Sequence, residues 1–348
     1  MNVERVLLAE PRGFCAGVEM AIKALVWMVQ VFNKPIYCYH EIVHNRVVVE
    51  KFEALGVIFV DDLENVPEGA PIMLSAHGSS PQVVEKAGEL ASYRVDAVCP
   101  LVTKVHHEVR TRSEKGYQIV YVGHAGHEEA EGTMAVAPKF VHRVEKSDDV
   151  RTLPELGNQV ALLAQTTLSH RDWAGVVDAA LERWPTLWSP ENSDLCFATT
   201  NRQAALLDLV DNCDAVVVIG SRNSSNTGAL VQLAEEAGCQ RVVWINRADE
   251  LPNDLEGTVG VTAGASAPDE VVQAVLNTIA PRSGVETVTY TNEDEYFPPP
   301  RNLRKLLTVI RSFAGLGFGK PPLSDHFDDR SIDASEALAS LSRLQSSP

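Results

Sequence analysis

Short apolar runs alternate with helix-period segments along most of this chain, and few folds satisfy that pattern. Runs of four to six residues at 6–9, 36–39, 72–76, 119–122, 160–164, 215–220, 242–245 and 259–262 read as strands. Between them, 18–31, 81–92, 102–114, 170–184, 200–210 and 225–237 carry helical spacing. Strand–helix alternation of this kind gives an α/β architecture, because neighbouring parallel strands need a crossover long enough to hold a helix. A length of 348 residues allows two or three compact units.

Three of the six cysteines share one place in this pattern, at the end of an apolar or loop segment and just before a helix. They are Cys15 in PRGFCAGVEMAIKAL, Cys99 in VDAVCPLVTKVHHEV and Cys196 in NSDLCFATTNRQAAL. Each is separated from the next by about one small α/β unit. Three units that each offer a cysteine at a helix N-terminus can converge on one point, where the helix dipole favours a thiolate. Cys38, inside a strand run, Cys213, at a helix end, and Cys239, in a turn, read as structural thiols.

Composition excludes several classes. With 30 basic and 47 acidic side chains the net charge is −17, opposite in sign to the footprint of a nucleic-acid or anionic-membrane binder. No apolar run reaches the roughly 18 residues of a spanning helix, and the first residues lack the apolar core of a signal peptide. The expected location is cytoplasmic, where scattered cysteines are not a disulfide framework. Beyond residue 282 the acidic, proline-rich TNEDEYFPPP and a serine-rich end read as an extended tail, with one short helix at 332–344. Within it, GLGFGK at 315–320 lacks the spacing and the Ser or Thr of a phosphate loop.

Histidines supply the next signal. His44, His77 and His127 follow strand runs, at the edge where parallel sheets bind ligands. Hydroxyl and amide groups gather at the same edge: Thr166 in AQTTLS, Ser224, Ser225 and Asn226 in GSRNSSN, and Ser266 in VTAGASAP. Such loops, with their free backbone N–H groups, suit a phosphate or diphosphate. Glu129 stands two residues after His127, a carboxylate on the same loop that can deliver protons in a water-poor pocket.

Taken together, PRGFCAGV, HEIVHNRVVVE, SAHGSSP, CPLVTKVH, GHAGHEEAEGTM, AQTTLS, CFATTNRQ, GSRNSSN and VTAGASAP resemble the 4-hydroxy-3-methylbut-2-enyl diphosphate reductase family, in family order from residue 8 to about 270. The resemblance implies an α/β fold of three similar domains with small parallel sheets, a pseudo-threefold trefoil around a central iron–sulfur cluster. The domains expected are 15–98, 99–195 and 196–281, with the strand of 1–14 packing on the third and 282–348 a partly disordered extension. It implies a 4Fe–4S cluster held by Cys15, Cys99 and Cys196 with one open iron. It also implies substrate contacts from His44, His77, His127, Thr166, Ser224, Ser225, Asn226 and Ser266, and catalytic roles for Glu129, His127 and Thr166. The activity implied is reductive removal of the substrate's hydroxyl, giving isopentenyl and dimethylallyl diphosphate. Partners implied are the small diphosphate substrate and an electron donor such as a ferredoxin or flavodoxin, with a monomer or homodimer expected. An acidic donor needs a local basic patch on so acidic a protein.

This chain departs from the family where Glu128 replaces the usual proline and Val98 the usual threonine, and in its longer tail. An iron–sulfur hydro-lyase, which needs no electron donor, and an iron–sulfur redox sensor are the rival readings. A zinc site fits less well, since its ligands usually come in close pairs.

Overall fold

The computed structural model describes residues 1–191, 193–315 and 329–345. Strand β1 (Asn2–Glu10) opens the chain. It is followed by α1 (Ala16–Val31), β2 (Ile36–Tyr39), α2 (Arg46–Ala54), β3 (Val57–Val60), β4 (Pro71–Leu74), α3 (Pro81–Leu90) and β5 (Tyr93–Asp96). These strands after β1 form a first sheet in the order β3-β2-β4-β5. The second unit runs through α4 (Pro100–Glu114), β6 (Gln118–Val122), α5 (Glu128–Met134), β7 (Val141–Val144), α6 (Ser147–Thr152), β8 (Val160–Ala164) and α7 (His170–Arg183). Its sheet has the order β7-β6-β8.

The third unit contains α8 (Phe197–Val210), β9 (Ala215–Ile219), α9 (Ser225–Glu236), β10 (Val242–Ile245), β11 (Glu256–Ala263), α10 (Asp269–Ile279) and β12 (Val285–Thr289). Its sheet is β10-β9-β11-β1-β12, so the first strand of the chain is built into the last sheet. Every pairing in the three sheets is parallel. The α/β fold with three small parallel sheets is therefore the one the sequence implies. Strands β8 and β9 are buried at all five positions, as the continuous apolar runs VALLA and AVVVI require when helices cover both faces of a sheet.

Four strands went unseen in the pattern: β3, β5, β7 and β12. All four are edge strands. Three of them mix polar or charged residues into the run, as Arg94 and Asp96 do in β5, His142 and Arg143 in β7 and Glu286 in β12, whereas β3, VIFV, is a short apolar run that the pattern passed over. An edge with one face toward water tolerates that mixture, so the alternation that marks a buried strand is lost.

Residues after 282 also differ from the extended tail expected. Strand β12 pairs with β1, and two helices follow: α11 (Arg301–Gly315), which was not expected, and α12 (Ala334–Gln345), at the place of the short helix expected at 332–344. Leu303 of α11 and Ala334, Leu338 and Leu341 of α12 are buried in the same core as α1. Their spacing supplies the apolar stripe that the overall polarity of this segment hid. Residues 316–328, which include most of the 315–320 glycine-rich segment, lie outside the described residues. No helix among the described residues is long and apolar enough to cross a membrane.

Candidate active site

Cys15, Cys99 and Cys196 are the N-cap residues of α1, α4 and α8. Each is docked in the same way on the strand-end loop of another unit. The amide of Cys15 donates to Ala265 O at 3.1 Å, beyond β11; that of Cys99 to Ala76 O at 3.0 Å, beyond β4; that of Cys196 to Thr166 O at 2.9 Å, beyond β8. Those three acceptors stand beside or at Ser266, His77 and Thr166, so one repeated contact brings cysteines and polar loops to a common centre. Gly17 shows how near the sulfurs approach: a Cβ there would lie 2.8 Å from Cys99 Sγ and 3.9 Å from Cys15 Sγ. The expectation that helix N-termini favour thiolates needs correction for the protein by itself. Burial pushes the Cys99 thiol well up and Cys196 up to about 11, although Thr199 hydrogen-bonds the Cys196 sulfur through its amide and hydroxyl, both at 3.2 Å. Three soft donors, with no carboxylate among them, fit an iron–sulfur centre or zinc rather than a hard cation, and binding would release the thiol protons.

On the side formed by the first unit, the His44 and His77 rings stack at 3.8 Å between centroids, and His127 stands edge-on to His44 at 5.1 Å. Glu128 accepts from His77 Nδ1 at 2.8 Å and lies 3.7 Å from His40 Nδ1. Burial by itself would raise Glu128, but the His77 hydrogen bond and the surrounding histidine charge hold it at about 2. His44, buried and next to His77, is shifted down. Burial and its two histidine neighbours lower His127 to about 3, so its ring is neutral at pH 7. His127 Nδ1 accepts from the Glu129 amide at 3.1 Å, which assigns the ring proton to Nε2. Nε2 of both His44 and His127 is buried with no hydrogen-bond partner among the described residues.

His127 is the N-cap of α5, and this moves Glu128 and Glu129 from the expected loop into the first helical turn. Consecutive helical residues diverge by about 100°. Glu128 consequently meets the histidines while Glu129 turns inward and is only 2% exposed. Both Glu129 oxygens are engaged by Thr166, from its amide at 2.8 Å and its hydroxyl at 3.0 Å. Burial outweighs those bonds and pushes Glu129 up to about 7.

The remaining polar residues surround the same centre. Ser224 caps α9, and Ser225 Oγ accepts from Thr167 Oγ1 at 3.0 Å across the gap between units. Asn226 accepts from the Ala265 amide at 2.9 Å and donates to Thr199 at 3.2 Å, which leaves one amide hydrogen for a ligand. Ser266 donates to His44 O at 2.9 Å. A cavity of about 430 Å³ opens here, lined among others by His127, Arg222, Ser224 and Ser225. A larger one, about 720 Å³, lies at the opposite strand ends beside Cys213, Asp214, Cys239 and Arg241, away from every candidate residue.

Sequence reasoning missed several participants. Asp194, buried two residues before Cys196 and raised to about 6 by burial, adds its charge to the forces raising Glu129. Thr199, His40 and Glu128's partnership with His77 were missed too. Only Thr199 and Asp194 had a visible signal, their closeness to Cys196 in the sequence.

The chain matches the family model described as LytB protein over residues 6–280. A 4-hydroxy-3-methylbut-2-enyl diphosphate reductase from Nocardia farcinica is 46% identical over 309 residues, 87% of this chain and 92% of that one. A protein of the same name from Rhodopirellula baltica is 44% identical over 310 residues, 87% and 97% of the two chains. Among solved structures, the E-1-hydroxy-2-methyl-but-2-enyl-4-diphosphate reductase from Plasmodium falciparum is similar with a TM-score of 0.85 at 33% identity, covering 89% of this chain and 99% of that one.

Proposed function

The chain belongs to the LytB family of 4-hydroxy-3-methylbut-2-enyl diphosphate reductases, and from that premise we propose how its site performs the reaction. The reaction removes the substrate's hydroxyl as water, takes up two electrons and two protons, and yields isopentenyl or dimethylallyl diphosphate. The observation that carries the reading is the repeated docking of Cys15, Cys99 and Cys196, each at a helix N-cap and each bonded to a strand-end loop that bears a substrate-site residue. Those three thiolates would hold the family's iron–sulfur cofactor as a 4Fe–4S cluster with one open iron, which supplies electrons and Lewis acidity at the departing hydroxyl.

The residues do the rest. His44 and His127 present unpartnered Nε2 atoms, and His77 is held in place by its hydrogen bond to Glu128, so this wall takes the diphosphate with Ser224, Ser225, Asn226 and Ser266. Holding the diphosphate fixes the allylic end of the substrate near the sulfurs. Glu129, protonated up to about pH 7, passes a proton through the Thr166 hydroxyl that it contacts at 3.0 Å. His127, being neutral, serves as a hydrogen-bond donor rather than a proton store. Electrons arrive from a small redox protein of the ferredoxin or flavodoxin class.

The test is an anaerobic assay of purified protein with the hydroxylated diphosphate, with and without a reductant. Conversion only with reductant supports a reductase. Conversion without reductant would assign the site to a hydro-lyase.

A further inference from the structure

Arg202 lies on α8 six residues after Cys196, and its side chain is wholly buried. An arginine is almost never buried so completely unless its charge and donors are matched. Here all five N–H groups are used. Nε donates to Gly13 O at 3.1 Å, while Nη2 donates to Gly13 O at 2.8 Å and Phe14 O at 3.3 Å. Nη1 donates to Ala198 O at 2.9 Å and to both carboxylate oxygens of Glu293 at 3.0 Å. Asn201 adds a further hydrogen bond to Glu293 at 3.0 Å.

The acceptors are what make this arrangement informative. Gly13 and Phe14 immediately precede Cys15, and Ala198 sits two residues after Cys196. One rigid, planar group therefore joins the backbone on either side of two candidate ligands that belong to different units. Glu293 reaches it from the segment just after β12, beyond the residues that the family model matches.

We propose that Arg202, charge-matched by Glu293, is a positioning residue that fixes the Cys15 loop against the Cys196 helix and so sets the geometry of the metal centre. This rests on the reading of Cys15 and Cys196 as ligands. The guanidinium fork dictates the separation of the two loops. Glu293 neutralises a cation that burial would otherwise penalise, which keeps the fork in place. Groups behind metal ligands commonly hold affinity in this way.

Glu293→Gln keeps the side-chain shape and removes the charge at the rim of the network, so it is better tolerated than any change of the buried arginine. In anaerobically purified holoprotein, this variant is expected to release iron to a chelator about 10- to 100-fold faster than the native protein. Its visible circular dichroism should also change, and Glu293→Asp should restore most of both properties. Leu338→Ala is the control: it opens a cavity in the first unit, lowers the melting temperature and leaves iron release unchanged. Native release rate and dichroism in Glu293→Gln would overturn the proposal, as would release rates that follow melting temperature alone across all variants. Cys15→Ser separates the two readings. If it retains iron as the native protein does, the ligand assignment fails; if it loses iron while Glu293→Gln does not, only the positioning role fails.

Discussion

Two walls of the candidate site meet at the first turn of α5 and treat neighbouring carboxylates in opposite ways. The wall of the first unit surrounds Glu128 with His40, His44 and His77 and holds it ionised, at about 2. The wall of the second unit buries Glu129 beside Thr166 and Asp194 and lifts it to about 7. The two residues are identical in chemistry and adjacent in sequence. Burial lifts one carboxyl into the range of a proton donor, while the His77 hydrogen bond and the neighbouring histidines keep the other ionised. Environments that push like groups apart are how acid and electrostatic roles are divided in one site.

The sharpest way to break this contrast is Glu129→Gln, which keeps shape and cannot donate a proton. Turnover should fall by about 10²–10⁴, the worth of a positioned general acid, with little change in affinity for inorganic diphosphate. A normal rate would remove Glu129 from the mechanism. The histidine wall is tested by His44→Ala and His77→Ala. Each should weaken diphosphate binding by about 10- to 150-fold, the loss of one charge-assisted hydrogen bond, as read by calorimetry. Unchanged affinity in both would place the diphosphate elsewhere.

Dependence on pH sharpens the comparison further. Glu129 donates only when protonated, so turnover should be full below pH about 7 and fall as pH rises through it. Stability has the same sign: a folded value raised above the ordinary 4.5 favours the folded state at low pH, and that contribution is lost between about 4.5 and 7. Glu129→Gln should remove the stability change over that interval in thermal melts. The smallest effect is expected for Glu128→Gln, which weakens one part-buried hydrogen bond to His77, about 1 kcal/mol, and should alter turnover by less than about fivefold. Inactivity of Glu128→Gln alongside near-normal Glu129→Gln would mean that the two walls have been exchanged.

Much of this site is visible in the sequence because its chemistry demands particular side chains at particular strand ends. Cysteines just before helices, histidines just after strands and hydroxyl groups in short loops are all local patterns. What escaped is set by contacts between distant segments. The environment of Glu129 depends on Asp194, and its separation from Glu128 depends on a helix capped by His127 where the sequence suggested a loop. Arg202 meets Glu293 across a long stretch of chain, and nothing near either residue announces it. Helix α11 was hidden for a related reason: Leu303 joins Leu338 and Leu341 of α12 in a core built around α1, so its burial makes sense only once that core is assembled.

The proposed function assigns Cys15, Cys99 and Cys196 to one metal centre, so the central claim concerns the sulfurs. Iron and sulfide should be measured in anaerobically purified protein carrying serine at each cysteine in turn. Cys15→Ser, Cys99→Ser and Cys196→Ser are predicted to lose most of both elements, because each removes a ligand from one shared centre. Cys38→Ser, within a buried strand, and Cys213→Ser and Cys239→Ser, at the opposite strand ends, are predicted to keep native content. Full iron and sulfide in the first three, or loss confined to the second three, would contradict the account.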